Sequence, residues 1–223
     1  MDSAVLQLLV LAGIAVFLVL RLKSVLGTRE GFEKPPLGEP GAAPARGASR
    51  RPEFEVIEGG PDTDITDHVP EDSRAARALA DMKAAEPEFH VGDFLHGARQ
   101  AYEMILMAFE KGDMDALVPF LSRDVYESFM EVVEMREQQG LTVDASFVGL
   151  RDVRITGAHF NKDTAEAEVT VRFEAELTSV VRTAEGNIVE GDPNEIKRQR
   201  DTWTFARKMG LDDPNWQLVA TGE

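Results

Sequence analysis

The stretch "AEAEVTVRFEAEL", Ala165–Leu177, decides the fold. Ala165, Ala167, Val169, Val171, Phe173, Ala175 and Leu177 share one face, while Glu166, Glu168, Thr170, Arg172, Glu174 and Glu176 take the other. Strict alternation is the period of a pleated strand; a helix, turning about 100° per residue, would scatter both sets. One apolar and one charged face predict a half-buried antiparallel strand, and the carboxylates read as its solvated side.

Outward from this strand the pattern holds. Upstream, "SFVGLRDVRITGAHF" reads as a strand with Val153 and Ile155 inward, joined through a turn at Asn161–Asp163. Downstream, "TAEGN" is a turn, and "RQRDTWTFARKM" and "NWQLVAT" are two strands separated by "GLDDP". Trp203 and Trp216 on these strands read as core, packing the sheet against helices.

Before the strands the period is helical. "EDSRAARALADMKAAE", Glu71–Glu86, places Ala76, Leu79, Ala80 and Met82 or Lys83 on one side, and Pro87 ends it. "FLHGARQAYEMILMAFEKGD", Phe94–Asp113, carries Phe94, Ala98, Ala101, Tyr102, Ile105 and Phe109 as one stripe closed by Gly112. Asp113 is expected to cap a helix over "MDALVPFLS", and Asp124 to cap "VYESFMEVVEMREQQG", whose stripe is Val125, Phe129, Val132 and Val133. Helices followed by antiparallel strands predict an α+β domain over 71–223, with three to four helices on one face of a curved sheet.

The remaining residues differ in kind. Seven of the eleven prolines and seven of the eighteen glycines fall between Gly27 and Pro70, so residues 27–70 read as a flexible tether. Within it Arg46, Arg50 and Arg51 form a small basic group, and "EFEVIEGG", Glu53–Gly60, has strand-like alternation. Residues 1–26 read as a transmembrane anchor. Ala4–Leu20 has only Gln7 as a polar member, includes Val5, Leu9, Ile14, Phe17 and Leu20, and is followed by Arg21 and Lys23 at the interface. A cleaved signal peptide wants positive charge before the apolar run, yet only Asp2 precedes this one. Positive charge C-terminal to the span predicts a single-pass inner-membrane protein, N-terminus out and C-terminal domain in the cytoplasm.

Net charge is −16, and from Glu71 onward 17 Lys and Arg face 30 Asp and Glu, a net of −13. Nucleic-acid binding through phosphate neutralisation is excluded as a class, because no long basic cluster exists. Without cysteine there is no disulfide, thiolate metal site or Cys nucleophile. His68, His90, His96 and His159 are scattered, and neither a serine elbow nor a phosphate loop occurs. No metal, cofactor or catalytic residue is expected. Asp93 and Asp201 are acids able to sit at the mouth of a pocket, but no motif selects them.

The stretch from Phe94 to Phe129, with its "AF..GD...L..FLS.DVY..F" pattern, and the pairing of "WTFAR" with "DPNWQL" resemble the Tim44-like C-terminal domain family. That family is a branch of the cone-shaped nuclear-transport-factor-two-like folds. The resemblance covers roughly residues 72–222. It implies an adaptor held at the inner membrane that engages a translocase, a chaperone or a client polypeptide, with membrane lipid contacted through the N-terminal helix. The other class of reading is a pocket-bearing module for a small ligand or lipid, enzymatic or sensing.

Met104 and Met107 lie off the Phe94–Phe109 stripe. Either they widen the core contact, or they line an adaptable groove for apolar segments floored by Tyr102, Phe109 and Phe129.

Overall fold

The computed structural model describes residues 62–222. The expected anchor, with Val5, Leu9, Ile14, Phe17, Leu20, Arg21 and Lys23, lies outside them, as do the tether up to residue 61 and its Glu53–Gly60 string. Among the described residues no helix is long and apolar enough to cross a membrane.

Helices come first: α1 (Thr63–Thr66), α2 (Arg74–Ala85), α3 (Val91–Lys111), a 3-10 turn (Asp115–Leu117) and α4 (Arg123–Gln138). Five antiparallel strands follow: β1 (Thr142–Asn161), β2 (Glu166–Arg182), β3 (Ile188–Gly191), β4 (Lys197–Lys208) and β5 (Gln217–Gly222). The sheet order is β1-β2-β4-β5, with β3 pairing the far end of β2. The helices pack on one face, giving the α+β layout read from the sequence.

β2 is the spine, as its alternation predicts. Ala167, Val169, Val171, Phe173, Ala175 and Leu177 are all buried against the helices. Beyond the exposed Glu166, the outward set is half-buried rather than freely solvated. Arg172 and Arg200 pair with Glu174, and Arg151 and Arg198 with Glu176, so neighbouring strands cover the central one with ion pairs. Ala165 does not join the inward face. It closes the β1–β2 turn at φ 59, where Asn161 Oδ1 accepts from the Asp163 and Thr164 amides. β2 also runs past Leu177 to Arg182, and β3 is an element too short to show a period. Three register shifts along β1 bend that edge strand.

The helical layer departs from expectation at its joints. Folded structure begins within the stretch assigned to the tether: Ile65 of α1 and Val69 are buried in the core. A four-residue helix is too short to be legible as periodicity. Ser122, not Asp124, caps α4, its Oγ accepting from the Val125 amide; Asp124 sits in the first turn, where the helix dipole favours an acid. On α4 Val125 and Val133 are buried with Phe129 half-buried between them, and Val132, one residue off this line, is exposed. The helix expected over Met114–Ser122 is a single 3-10 turn, although Asp113 Oδ1 accepts from the Ala116 amide as a cap would. The element stops after that turn even though Val118, before Pro119, keeps helical angles and the Phe120 and Leu121 amides both reach the Leu117 carbonyl. The freed chain pairs with β5 instead: Leu218 donates its amide to the Phe120 carbonyl and accepts from the Ser122 amide.

Gly112 ends α3 in the left-handed region at φ 74, as its position predicts. The start of α3 is held from a distance. Asp64 accepts from the Val91 and Gly92 amides at 2.9 and 3.1 Å and from Lys83 Nζ at 2.9 Å, and Lys83 also pairs with Asp62. Burial alone would raise the Asp64 carboxyl; the lysine and the two amides outweigh it and hold its pKa at about 2.

Candidate binding groove

The inner face of β4 places Gln199, Asp201, Trp203, Phe205 and Arg207 in one row, because alternate residues of a strand point the same way. Its middle is packed solid. Tyr102 of α3 stacks on Phe173 at 4.4 Å between centroids and lies 4.6 Å from Trp203. The Tyr102 hydroxyl donates to Asp201 Oδ2 at 2.5 Å, and Gln199 Nε2 donates to the same oxygen at 2.8 Å. Burial, then the adjoining carboxylate, pushes the Tyr102 phenol well above its usual range, so it remains a donor. This end joins helix to sheet through packed rings, and the hollow beside it is lined by Lys197–Asp201 of β4 alone, with no residue of α3.

The Arg207 end is different. On α3, Phe94, Gly97, Ala98, Ala101 and Met104 follow helical spacing along one side, and the three middle residues are too small to reach the sheet. Across from them stand Phe205, Arg207 and the segment Pro214–Trp216, with Phe120 at one side. Between these walls lies an apolar groove of about 620 Å³. A Cβ added at Gly97 would meet no atom within 4 Å, so the space faces the helix there. Glu88, Asp93 and Gln100 form a polar rim.

Aromatic contacts set the wall. Trp216 lies 4.8 Å from Phe94 and 5.9 Å from Phe89, and Phe94 meets Phe205 edge-on at 6.2 Å. The Arg207 guanidinium stands over Trp216 at 5.4 Å and donates from Nη2 to Glu86 Oε1 at 2.6 Å. Only 7% of the Arg207 side chain is exposed. Burial would raise the Glu86 carboxyl, but the Gly210 amide and Arg207 together hold it below its ordinary value. Hydrophobic walls with few polar groups suit an apolar ligand or side chain rather than chemistry on a polar substrate.

The five residues expected to line a groove are not together. Met104 lines it and is 36% exposed, so it does not widen the core. Tyr102 is sealed in the core, and Met107 packs against it. Phe109 and Phe129 meet each other at 4.4 Å, joining α3 to α4 away from the groove. Asp93 is on the rim and Asp201 is in the filled end. Trp203 is core as expected, but Trp216 is a half-buried wall just ahead of β5. The signal for the groove was the run of small residues Gly97, Ala98 and Ala101 inside an otherwise large apolar stripe. Among the described residues no cluster of His, Asp and Glu is placed to hold a metal ion.

Residues 75–223 match the Tim44-like domain. The chain is similar to the human mitochondrial import inner membrane translocase subunit TIM44, 22% identical over 160 residues, which is 70% of this chain and 35% of that protein. Subunit TIM44-1 of Arabidopsis thaliana is 20% identical over 161 residues, 70% of this chain and 34% of that protein. The chain thus spans about a third of the length of these relatives. Among solved structures, the intermembrane space region of chloroplast protein ARC6 aligns at a TM-score of 0.39 and 12% identity, covering 57% of this chain and 94% of that one, too distant to argue from.

Proposed function

The chain belongs to the Tim44-like domain family, and from that premise we propose that it is a membrane-anchored adaptor in protein translocation or membrane-protein biogenesis. The apolar run Ala4–Leu20 anchors it in the inner membrane, with the N-terminus outside. Residues 27–61 are the tether, and the folded domain works at the cytoplasmic face. Its partner is a protein: a translocase component, a chaperone or a client polypeptide. The role is binding, not catalysis.

The family match carries this reading; the groove supplies the means. Its walls accept apolar side chains of varied shape, with an unbranched Met at one end and rigid aromatics at the other. Glu88 and Asp93 on its rim favour segments whose flanking charge is positive. The same walls would take a small apolar ligand or a lipid chain, which is the second reading.

The test is photocrosslinking of the full-length protein in its membrane, followed by affinity capture and mass spectrometry. One membrane complex, chaperone or client class recurring across preparations is the expected result. Recovery of only neighbouring copies and random proteins would contradict the adaptor role. A small molecule retained on the purified protein would favour the second reading.

A further inference from the structure

We propose that the Glu86–Arg207 ion pair is a latch on a movable wall of the groove, the loop between β4 and β5 that carries Trp216. Three observations converge on it. Arg207 and Asn215 line the groove and also line a second hollow of about 330 Å³ on its far side, bounded by Pro119, Leu211 and Gln217. They are the partition between two spaces. The Arg207 Nε hydrogen is buried and meets no protein acceptor among the described residues. A buried donor left unmet in an otherwise satisfied site marks an arrangement held in place by something else.

That something is Glu86. Arg207 Nη1 contacts the Asp213 carbonyl and Nη2 the Met209 sulfur, both at 3.4 Å, and the guanidinium covers the Trp216 ring. Asp213 and Trp216 belong to the loop and travel with it, whereas Met209, buried and donating its amide to the Ala165 carbonyl at 2.8 Å, is the fixed base from which it swings. The polar tie to the helical layer is the Glu86 carboxylate, which holds Arg207 with one oxygen and accepts from the Gly210 amide at 2.9 Å with the other. Gly210 itself is at φ 75 with open space around it, a turn position free to swing. The contacts of Trp216 with Phe89 and Phe94 are apolar and lack direction, so the ring can slide along them. With the latch released, loop, guanidinium and indole move as one body and the two hollows join beneath them. The combined passage suits an extended chain, whereas the closed groove suits a single side chain or a short apolar tail. The latch stands whichever ligand enters.

The absence of native cysteine makes access measurable. A Gly97→Cys variant of the full chain in lipid nanodiscs is labelled with a small methanethiosulfonate and, separately, with a bulky pyrene maleimide. Adding Glu86→Gln is expected to speed the bulky reagent about fivefold or more while leaving the small one within about twofold, the loss of a charge-assisted bond setting the scale. Amide hydrogen exchange should quicken over residues 210–216 alone, and Glu86→Asp, which keeps the charge, should return both readouts toward those of the parent. Unchanged labelling and exchange in Glu86→Gln would overturn the latch. So would faster exchange spread through β2 and β4, because Glu86 would then be holding the whole fold rather than one wall.

Discussion

The two ends of one strand face are built alike and finish differently. At one end of β4, Asp201 meets the Tyr102 hydroxyl of α3; at the other, Arg207 meets Glu86 at the end of α2. Each end thus places one charged group of the sheet against one group of the helical layer. Around Asp201 the facing residues are Tyr102, Phe173 and Trp203, whose rings fill the gap between helix and sheet, and the hollow beside Asp201 is lined by β4 alone. Around Arg207 the facing residues are Gly97, Ala98 and Ala101, and the space is open. Side-chain volume on a single helix therefore decides which end is core and which is site.

The contrast is open to attack from the filled end first. Phe173→Ala removes the ring on which Tyr102 stacks and should cost about 3–5 kcal/mol, read as a large fall in thermal or denaturant midpoint. A loss under about 1 kcal/mol would show that this end is not tightly packed. Tyr102→Phe keeps the ring and deletes the hydroxyl facing Asp201. The expected loss is about 1–3 kcal/mol, with groove binding intact, because the two ends are separate.

The groove end is sensitive to acid. The Asp64 carboxyl, which holds the start of α3, has its pKa lowered from 3.8 to about 2. A depressed carboxylate contributes stability that is present above its unfolded pKa and lost as pH falls through the folded one. Asp64→Asn should therefore cost about 1–2 kcal/mol at neutral pH and flatten the stability decline between about pH 4 and pH 2. Parallel stability curves for the two proteins across that window would refute the assignment.

Smaller effects sharpen the other side. Gly97 lies inside a helix with open space before it, so Gly97→Ala should stabilise by about 0.5–1 kcal/mol while narrowing the groove. Destabilisation there would mean the space is filled. Met104→Glu, on the exposed rim, should change stability by less than about 0.5 kcal/mol and weaken partner capture; Met107→Glu, packed on the core, should destabilise more.

Much of the fold was legible because the decisive element, β2, buries one face only, and a two-residue period then writes itself into Val169, Val171 and Phe173. Helix α3 was equally plain, with Gly112 as its stop. The joints were less so. Asp64 caps a helix whose first residue is 27 positions away, and no local pattern records a long-range cap. Pro119 was visible, yet the pairing of Phe120–Ser122 with β5 depends on where the chain returns.

The site was the least legible part. Methionines off the main stripe suggested a groove, but Tyr102, Met107, Phe109 and Phe129 are spent on packing, and only Met104 reaches the open space. A groove is made by what is missing, here side-chain volume at Gly97, Ala98 and Ala101. Sequence periodicity records what is present. Trp216 shows the same limit, since its burial depends on a loop held by Glu86 and Arg207.

The central claim is that the open end engages a protein at the membrane. It is tested most directly by a photoreactive amino acid placed in the full-length chain in its membrane, at Met104 in one protein and at Glu168 on the opposite sheet face in another. The adaptor account predicts a recurrent polypeptide adduct from position 104 and none from position 168. Equal, unspecific adducts from both positions would contradict it.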